Sequence, residues 1–226
     1  MDSIKTDKRR LFSSLYLATT LVIILWIVKL IEVVFQVEFV EYGLYPLKTS
    51  GLIGIITAPF IHGDFEHLAA NSASMFMLTW MLFYFYRQIA PKVFILVWIL
   101  TGLWVWLMAR PSFHIGASGV VYGLAAFLFV SGLIRRNPRL MVLTLVVAFL
   151  YGSMVWGVFP EFFPERNISW ESHLMGFVAG MVLAIFFRKE GPKRKIYSWE
   201  WDELEEEEDE DEDDEHAYWN TPDKTF

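Results

Sequence analysis

The sequence predicts an all-α polytopic membrane protein, a bundle of six transmembrane helices, and three observations predict it. Hydrophobic residues make up 55% of the 226 and the mean hydropathy is +0.39, against about 45–50% apolar residues in an ordinary soluble domain. Apolar runs close to the ~20 residues needed to cross a bilayer recur along the chain. The net charge of −7 comes from one tail, because 14 of the 16 residues from Glu200 to Glu215 are acidic. Residues 1–199 hold 18 Lys+Arg against 11 Asp+Glu, a charge of +7. A membrane-spanning body with an acidic appendix fits these numbers, and a water-soluble enzyme does not.

The first segment runs from Leu11 to Phe35. Its ~25 apolar residues exceed the 7–15 of a signal-peptide core, and no small-residue cleavage site follows, so it reads as a retained helix. Residues 37–61 form a long first loop rich in Gly, Pro and aromatics. The second segment spans His67 to Tyr86, the third Val93 to Met108 and the fourth Ser118 to Ile134. The fifth runs from Leu140 to Phe159 and the sixth from Ser172 to Phe187. The expected organisation is a cytoplasmic amino-terminal tail (1–10), a six-helix membrane domain (11–190) and an acidic, disordered cytoplasmic tail (191–226).

Orientation follows from the basic residues of the short loops. With the amino terminus inside, the inner segments carry 14 Lys and Arg, and the outer loops carry only Lys48, Arg110 and Arg166. Both termini are then cytoplasmic, and the second, fourth and sixth helices all start at the outer side. The unusual polar residues gather at those three starts: His67 and Asn71, then Ser118, then His173. A helix over 118–134 is about 26 Å long at 1.5 Å per residue, shorter than the ~30 Å hydrocarbon core. Ser118 should therefore lie below the outer surface, reached by a dipping segment 110–117 beside a water-accessible cavity.

A serine hydroxyl needs a base before it acts as a nucleophile. No Asp falls in the six segments, and the only Glu there, Glu32, can pair with Lys29. The candidate bases are His67 and His173. His173 is favoured by packing: Gly176, Gly180 and Ala184 follow it at four-residue spacing, and Gly119 and Gly123 line the serine helix. Small residues at that spacing let membrane helices approach closely. Tyr122, one turn after Ser118, could stack on the imidazole. His67 and Asn71, four apart on one face, and the Ser118 amide at a helix start are candidate donors to an oxyanion.

The strings His62-Gly-Asp-Phe-Glu-His67-Leu-Ala-Ala-Asn71, Gly116-Ala-Ser118-Gly119-Val-Val-Tyr122-Gly123 and Ser172-His173-Leu-Met-Gly176-Phe-Val-Ala-Gly180 together resemble the rhomboid intramembrane serine proteases. The resemblance implies a six-helix rhomboid-like fold, Ser118 as nucleophile and His173 as general base. It implies an oxyanion hole of His67, Asn71 and the Ser118 amide, with His62 bracing it and Tyr122 packing on His173. Gly116, Gly119, Gly176 and Gly180 would support the assembly. A Trp-Arg pair carried by many family members in the first loop is missing here, since residues 37–61 hold neither residue.

Rival chemistries find little support. There is no Cys, no His-Glu-x-x-His string and no pair of membrane aspartates; a zinc site, thiol chemistry or an aspartyl protease would need one of these. Val120 stands where the Gly-x-Ser-x-Gly of a soluble α/β-hydrolase needs glycine. The expected function is intramembrane serine endopeptidase, cleaving transmembrane segments of other proteins through a Ser-His dyad. The alternative is a rhomboid-like protein that binds or surveys membrane segments without cutting them. No cofactor, metal or nucleic acid partner is expected; the partners are transmembrane substrates and the lipid bilayer. The expected location is a bacterial inner membrane with the site opening outward. Trp156, Phe159, Phe162 and Phe163 are candidates for a substrate gate, and His114 reads as a plain loop residue.

Overall fold

The computed structural model describes residues 2–159 and 169–192. The acidic tail, Arg166 and the gate candidates Phe162 and Phe163 lie outside the described residues. Seven α-helices are described: α1 (Asp2–Phe35), α2 (Gly54–Thr57), α3 (Phe65–Phe85), α4 (Ala90–Met108), α5 (Ser118–Arg135), α6 (Pro138–Tyr151) and α7 (Trp170–Phe186). Among the described residues there is no strand, only an isolated antiparallel bridge between Leu44 and His114. Five helices are long and apolar enough to cross a membrane: α1, α3, α4, α5 and α7.

The fifth membrane segment departs from expectation. The fifth apolar segment does not stay α-helical to Phe159; α6 ends at Tyr151, and Gly152–Val158 tightens into a 3₁₀ turn. Gly152 and Ser153 are weak helix formers, and they fall where the register changes. α1 runs on through the amino-terminal residues, back to Asp2. The first loop is more ordered than its composition suggested, with 3₁₀ turns at Val40–Tyr42, Thr49–Ile53 and Ala58–Phe60 around α2. Two indoles pin that loop to α4: Trp98 donates to the Ile55 carbonyl at 2.8 Å, and Trp106 to the Lys48 carbonyl at 2.9 Å.

Local chemistry explains the helix starts. Asp64 caps α3 by accepting from the His67 amide at 2.7 Å. Asn137 caps α6 by accepting from the Arg139 amide, and Pro138 follows it with a backbone angle suited to a first turn. Arg136, in a left-handed conformation, ends α5. Arg135 ties the end of α5 to the end of α7, donating to the carbonyls of Phe187 and Glu190 and to the Ser131 hydroxyl.

At the centre, α5 lies mostly enclosed and packs most extensively on α7. The contact has no room for side chains. A Cβ on Gly176 would collide with the Gly119 carbonyl oxygen, and one on Gly180 with the Gly123 carbonyl oxygen. The main chains touch at two successive turns, so the register of α7 against α5 is fixed to within a fraction of a turn. Around this seam lies an apolar core that includes Leu78, Leu82, Val97, Leu124, Phe127 and Leu183. α1 sits to one side, packed mainly on α3.

A bulky residue in the seam should separate the two helices. Gly180→Val is expected to destabilise the protein by about 1–3 kcal/mol, the usual cost of overpacking, read as a lower melting temperature in detergent. Gly152→Ala, at a right-handed helical position with no atom within 4 Å of the added methyl, should leave the melting temperature unchanged or slightly raised. Equal behaviour of the two variants would contradict the seam.

Candidate active site

Ser118 is the first residue of α5, and Ala117 occupies the cap position before it. The hydroxyl is therefore not spent capping its own helix. It lies 3.0 Å from Nε2 of His173, in the first turn of α7. The other ring nitrogen, Nδ1, is 2.8 Å from the Gly157 carbonyl oxygen. A carbonyl only accepts, so Nδ1 carries the hydrogen and Nε2 presents a lone pair to the serine. The 3₁₀ turn that broke the fifth segment thus supplies the group that fixes the imidazole tautomer.

The imidazole is also held from its face. The Tyr122 and His173 rings stack at 4.2 Å between centroids, 6° from parallel. Tyr122 is itself fixed, its hydroxyl donating to the Met154 carbonyl at 2.7 Å. Two carbonyls of residues 152–158 therefore set the positions of both rings. His173 is 8% exposed.

His67 and Asn71 stand together beside Gly116, two residues before Ser118. Gly116 adopts φ +101°, a conformation glycine takes freely, and a Cβ there would come within 2.7 Å of Cε1 and 2.9 Å of Nε2 of His67. Asn71 Nδ2, 3.6 Å from the same point, is buried without a hydrogen-bond partner. An amide donor left unsatisfied at such a place is costly, and it is available to an incoming oxygen.

His62 braces the loop beneath. Its Nδ1 donates to the Phe60 carbonyl at 3.3 Å, and its Nε2 accepts the Ala117 amide at 3.4 Å. The His62 and His67 rings meet edge to face at 5.1 Å. Burial, reinforced by the neighbouring His67, pushes the pKa of His62 down to about 4. It is thereby kept neutral, the form that can accept from Ala117. Lys29 clamps the same loop, donating to the carbonyls of His62 (2.9 Å) and Gly63 (3.0 Å) while pairing with Glu32 at 3.2 Å.

His173 reaches Ser118 directly and stacks on Tyr122, while His67 and Asn71 gather at Gly116 and His62 at Ala117, just before the serine. Gly119 and Gly176 form the seam beside it, and Gly180 the next turn. A small cavity adjoins it, lined by Gly116, Gly119, Ser172 and Thr101 among others. The Thr101 hydroxyl is buried there without a partner. No group of three or more His, Asp or Glu residues suited to a metal ion occurs among the described residues.

The sequence reading missed four contributors. The Gly157 and Met154 carbonyls carry no side-chain signal. Glu171 was placed outside the sixth segment, but α7 begins at Trp170 and buries this carboxylate in its first turn. Glu32 is therefore not the only glutamate of the membrane helices. His114 is more than an exposed loop residue; it is 2% exposed and hydrogen-bonded at both ring nitrogens.

Fold and site together define a class: a polytopic helical membrane protein that joins a serine to a histidine between two glycine-lined helices. The family model described as Rhomboid domain matches residues 49–190, and the chain belongs to the rhomboid family, whose members are usually intramembrane serine proteases. An uncharacterized protein of Mycobacterium tuberculosis is 37% identical over 182 residues, covering 78% of this chain and 75% of the relative. One from Mycobacterium leprae is 33% identical over 183 residues, covering 78% and 71%. A Bacillus subtilis protein provisionally named a rhomboid protease is 26% identical over 150 residues, covering 62% and 69%.

Two predictions follow from the ring geometry. Tyr122→Phe keeps the stack and loses the bond to Met154, so it should cost about 1 kcal/mol of stability; Tyr122→Ala, which removes the ring as well, should cost more in the same denaturation assay. For His62, the folded pKa of about 4 lies below the ordinary 6.5. Its contribution to stability is complete above pH ~6.5 and is lost as pH falls toward ~4. His62→Gln should flatten the pH dependence of melting in that window, and an unchanged slope would contradict the buried neutral form.

Proposed function

We propose that this protein is an intramembrane serine endopeptidase that cuts transmembrane segments of other membrane proteins. The single observation carrying the reading is the 3.0 Å contact between Ser118 Oγ and His173 Nε2, with the tautomer that makes Nε2 the acceptor.

In the proposed reaction Ser118 Oγ attacks the scissile carbonyl carbon as its proton passes to His173 Nε2. The carbonyl oxygen becomes an oxyanion received by His67, by the partnerless Asn71 Nδ2 and by the Ser118 amide. Collapse of the tetrahedral adduct breaks the C–N bond, and the leaving nitrogen takes the proton from His173. Water then attacks the acyl-serine, again giving its proton to His173. The new carboxyl product leaves, and Ser118 regains its hydrogen. The partnerless Thr101 hydroxyl in the adjoining cavity offers that water a polar contact.

A helical substrate hides its peptide carbonyls in its own hydrogen bonds, so a segment must unwind locally to be cut. Substrates with glycine or other weak helix formers near the outer face are favoured. The excess of basic residues in the inner segments supports cytoplasmic termini and a site reached from the outer side. A bacterial inner membrane is the proposed location.

The test uses the purified chain in detergent with a model transmembrane substrate. Wild type should cleave it, and Ser118→Ala and His173→Ala should not. Asn71→Ala should lower kcat by about 10²-fold, as loss of one oxyanion donor does elsewhere. Cleavage that persists in Ser118→Ala would overturn the assignment.

A further inference from the structure

The segment 109–117 that delivers Ser118 is anchored differently on its two sides. Toward the first loop the bonds are main chain. His114 and Leu44 exchange bonds of 2.8 and 3.0 Å, and the Gly116 amide donates to the Ala58 carbonyl at 2.8 Å. Toward α7 the bonds are made by side chains, and none of these takes part in the steps above.

The first is an ion pair. Arg110 Nη1 lies 3.5 Å from Glu171 Oε1, and the Glu171 side chain is only 5% exposed. Neither carboxylate oxygen has a hydrogen-bond partner. A carboxylate buried in that way depends on the charge facing it. The second is a chain of hydrogen bonds. His114 Nε2 donates to the Arg110 carbonyl at 3.1 Å, so Nδ1 is the acceptor and takes the Ser169 hydroxyl hydrogen at 2.5 Å. Ser169 Oγ in turn lies 2.6 Å from the Ser172 hydroxyl, which donates to it.

These residues straddle the Ser–His pair. Arg110 and His114 precede Ser118 by eight and four positions; Ser169, Glu171 and Ser172 precede His173 by four, two and one. The glycine seam fixes α7 against α5 below the site. Above it, these side-chain bridges tie the loop directly to the first turn of α7.

We propose that the Arg110–Glu171 ion pair and the His114–Ser169–Ser172 chain form a latch that sets the separation of Ser118 from His173, with Glu171 and His114 as positioning residues. The latch rests on the reading of Ser118 and His173 as the working pair. It predicts a loss in turnover rather than in substrate affinity, because the latch acts through the Ser118–His173 separation.

The experiment compares Glu171→Gln, Arg110→Lys and Arg110→Gln in the full chain in detergent. Steady-state cleavage of the model substrate is measured beside hydrogen exchange of segments 110–117 and 170–176. Glu171→Gln and Arg110→Gln should lower kcat about tenfold with KM within about twofold, and Arg110→Lys should retain most of the rate. Exchange should rise in both segments together in the two neutralised variants. An unchanged kcat, or a rise confined to one segment, overturns the latch. Where Glu171→Gln does not survive extraction, the Arg110→Lys and Arg110→Gln pair makes the same comparison. Exchange measured on a Ser118→Ala background reads the latch without cleavage, while cleavage surviving in Ser118→Ala alone counts against the nucleophile. The two failures are therefore separable.

Discussion

The contact on which the rest of the structure depends is the main-chain seam between α5 and α7. Membrane helices gain little from hydrophobic exclusion of one another, since lipid is as apolar as their side chains, and close packing must hold them instead. Here Gly176 lies against the Gly119 carbonyl and Gly180 against the Gly123 carbonyl. Ser118 is one residue from the first contact and His173 is three. The distance between hydroxyl and imidazole is thus inherited from backbone positions with no rotamer of their own. Any side chain wider than hydrogen in the seam would push the two groups beyond hydrogen-bond reach.

Proximity alone would leave the imidazole free to turn or to hold its hydrogen on the wrong nitrogen. In soluble serine hydrolases a buried carboxylate usually settles both questions. Here a neutral carbonyl, that of Gly157, settles the tautomer, and Tyr122 settles the plane of the ring. The substitution suits the surroundings, because an ionised group beside the histidine would need its own compensation in a low-dielectric site. Both roles rest on residues 152–158, where the α-helix gives way to a 3₁₀ turn. The irregularity that shortens the fifth membrane segment is also what aims its carbonyls at the two rings.

Much of this was legible in the sequence, for a physical reason. Spanning segments, their polar starts and the four-residue spacing of glycines are one-dimensional patterns. Ser118, His173, His67 and Asn71 stand out because polar groups are conspicuous in apolar helices. What escaped was whatever acts through backbone or through boundaries. The carbonyls of Met154 and Gly157 belong to residues whose side chains say nothing about their use. Glu171 was missed by a two-residue error in a helix start, and His114 because its burial is created by the first loop folding over it. Lys29 and Glu32 were read as a pair, but the reach of Lys29 to the His62 carbonyl depends on where that loop lands.

Glu171 shows why a carboxylate so near the histidine in sequence does not complete a triad. Successive residues of an α-helix are rotated by about 100°, so positions two apart point to nearly opposite sides. With His173 turned toward Ser118, Glu171 must turn away from it, and the structure finds it against Arg110 instead. Its direct partner is therefore on the loop that carries the serine, not the imidazole. A carboxylate at position 170 or 177 would share the face of His173, but those positions hold Trp170 and Phe177. The helix geometry thus separates two tasks that a triad combines: orientation of the imidazole goes to the Gly157 carbonyl and the Tyr122 ring, while the buried negative charge is left to tie α7 to the loop that presents Ser118.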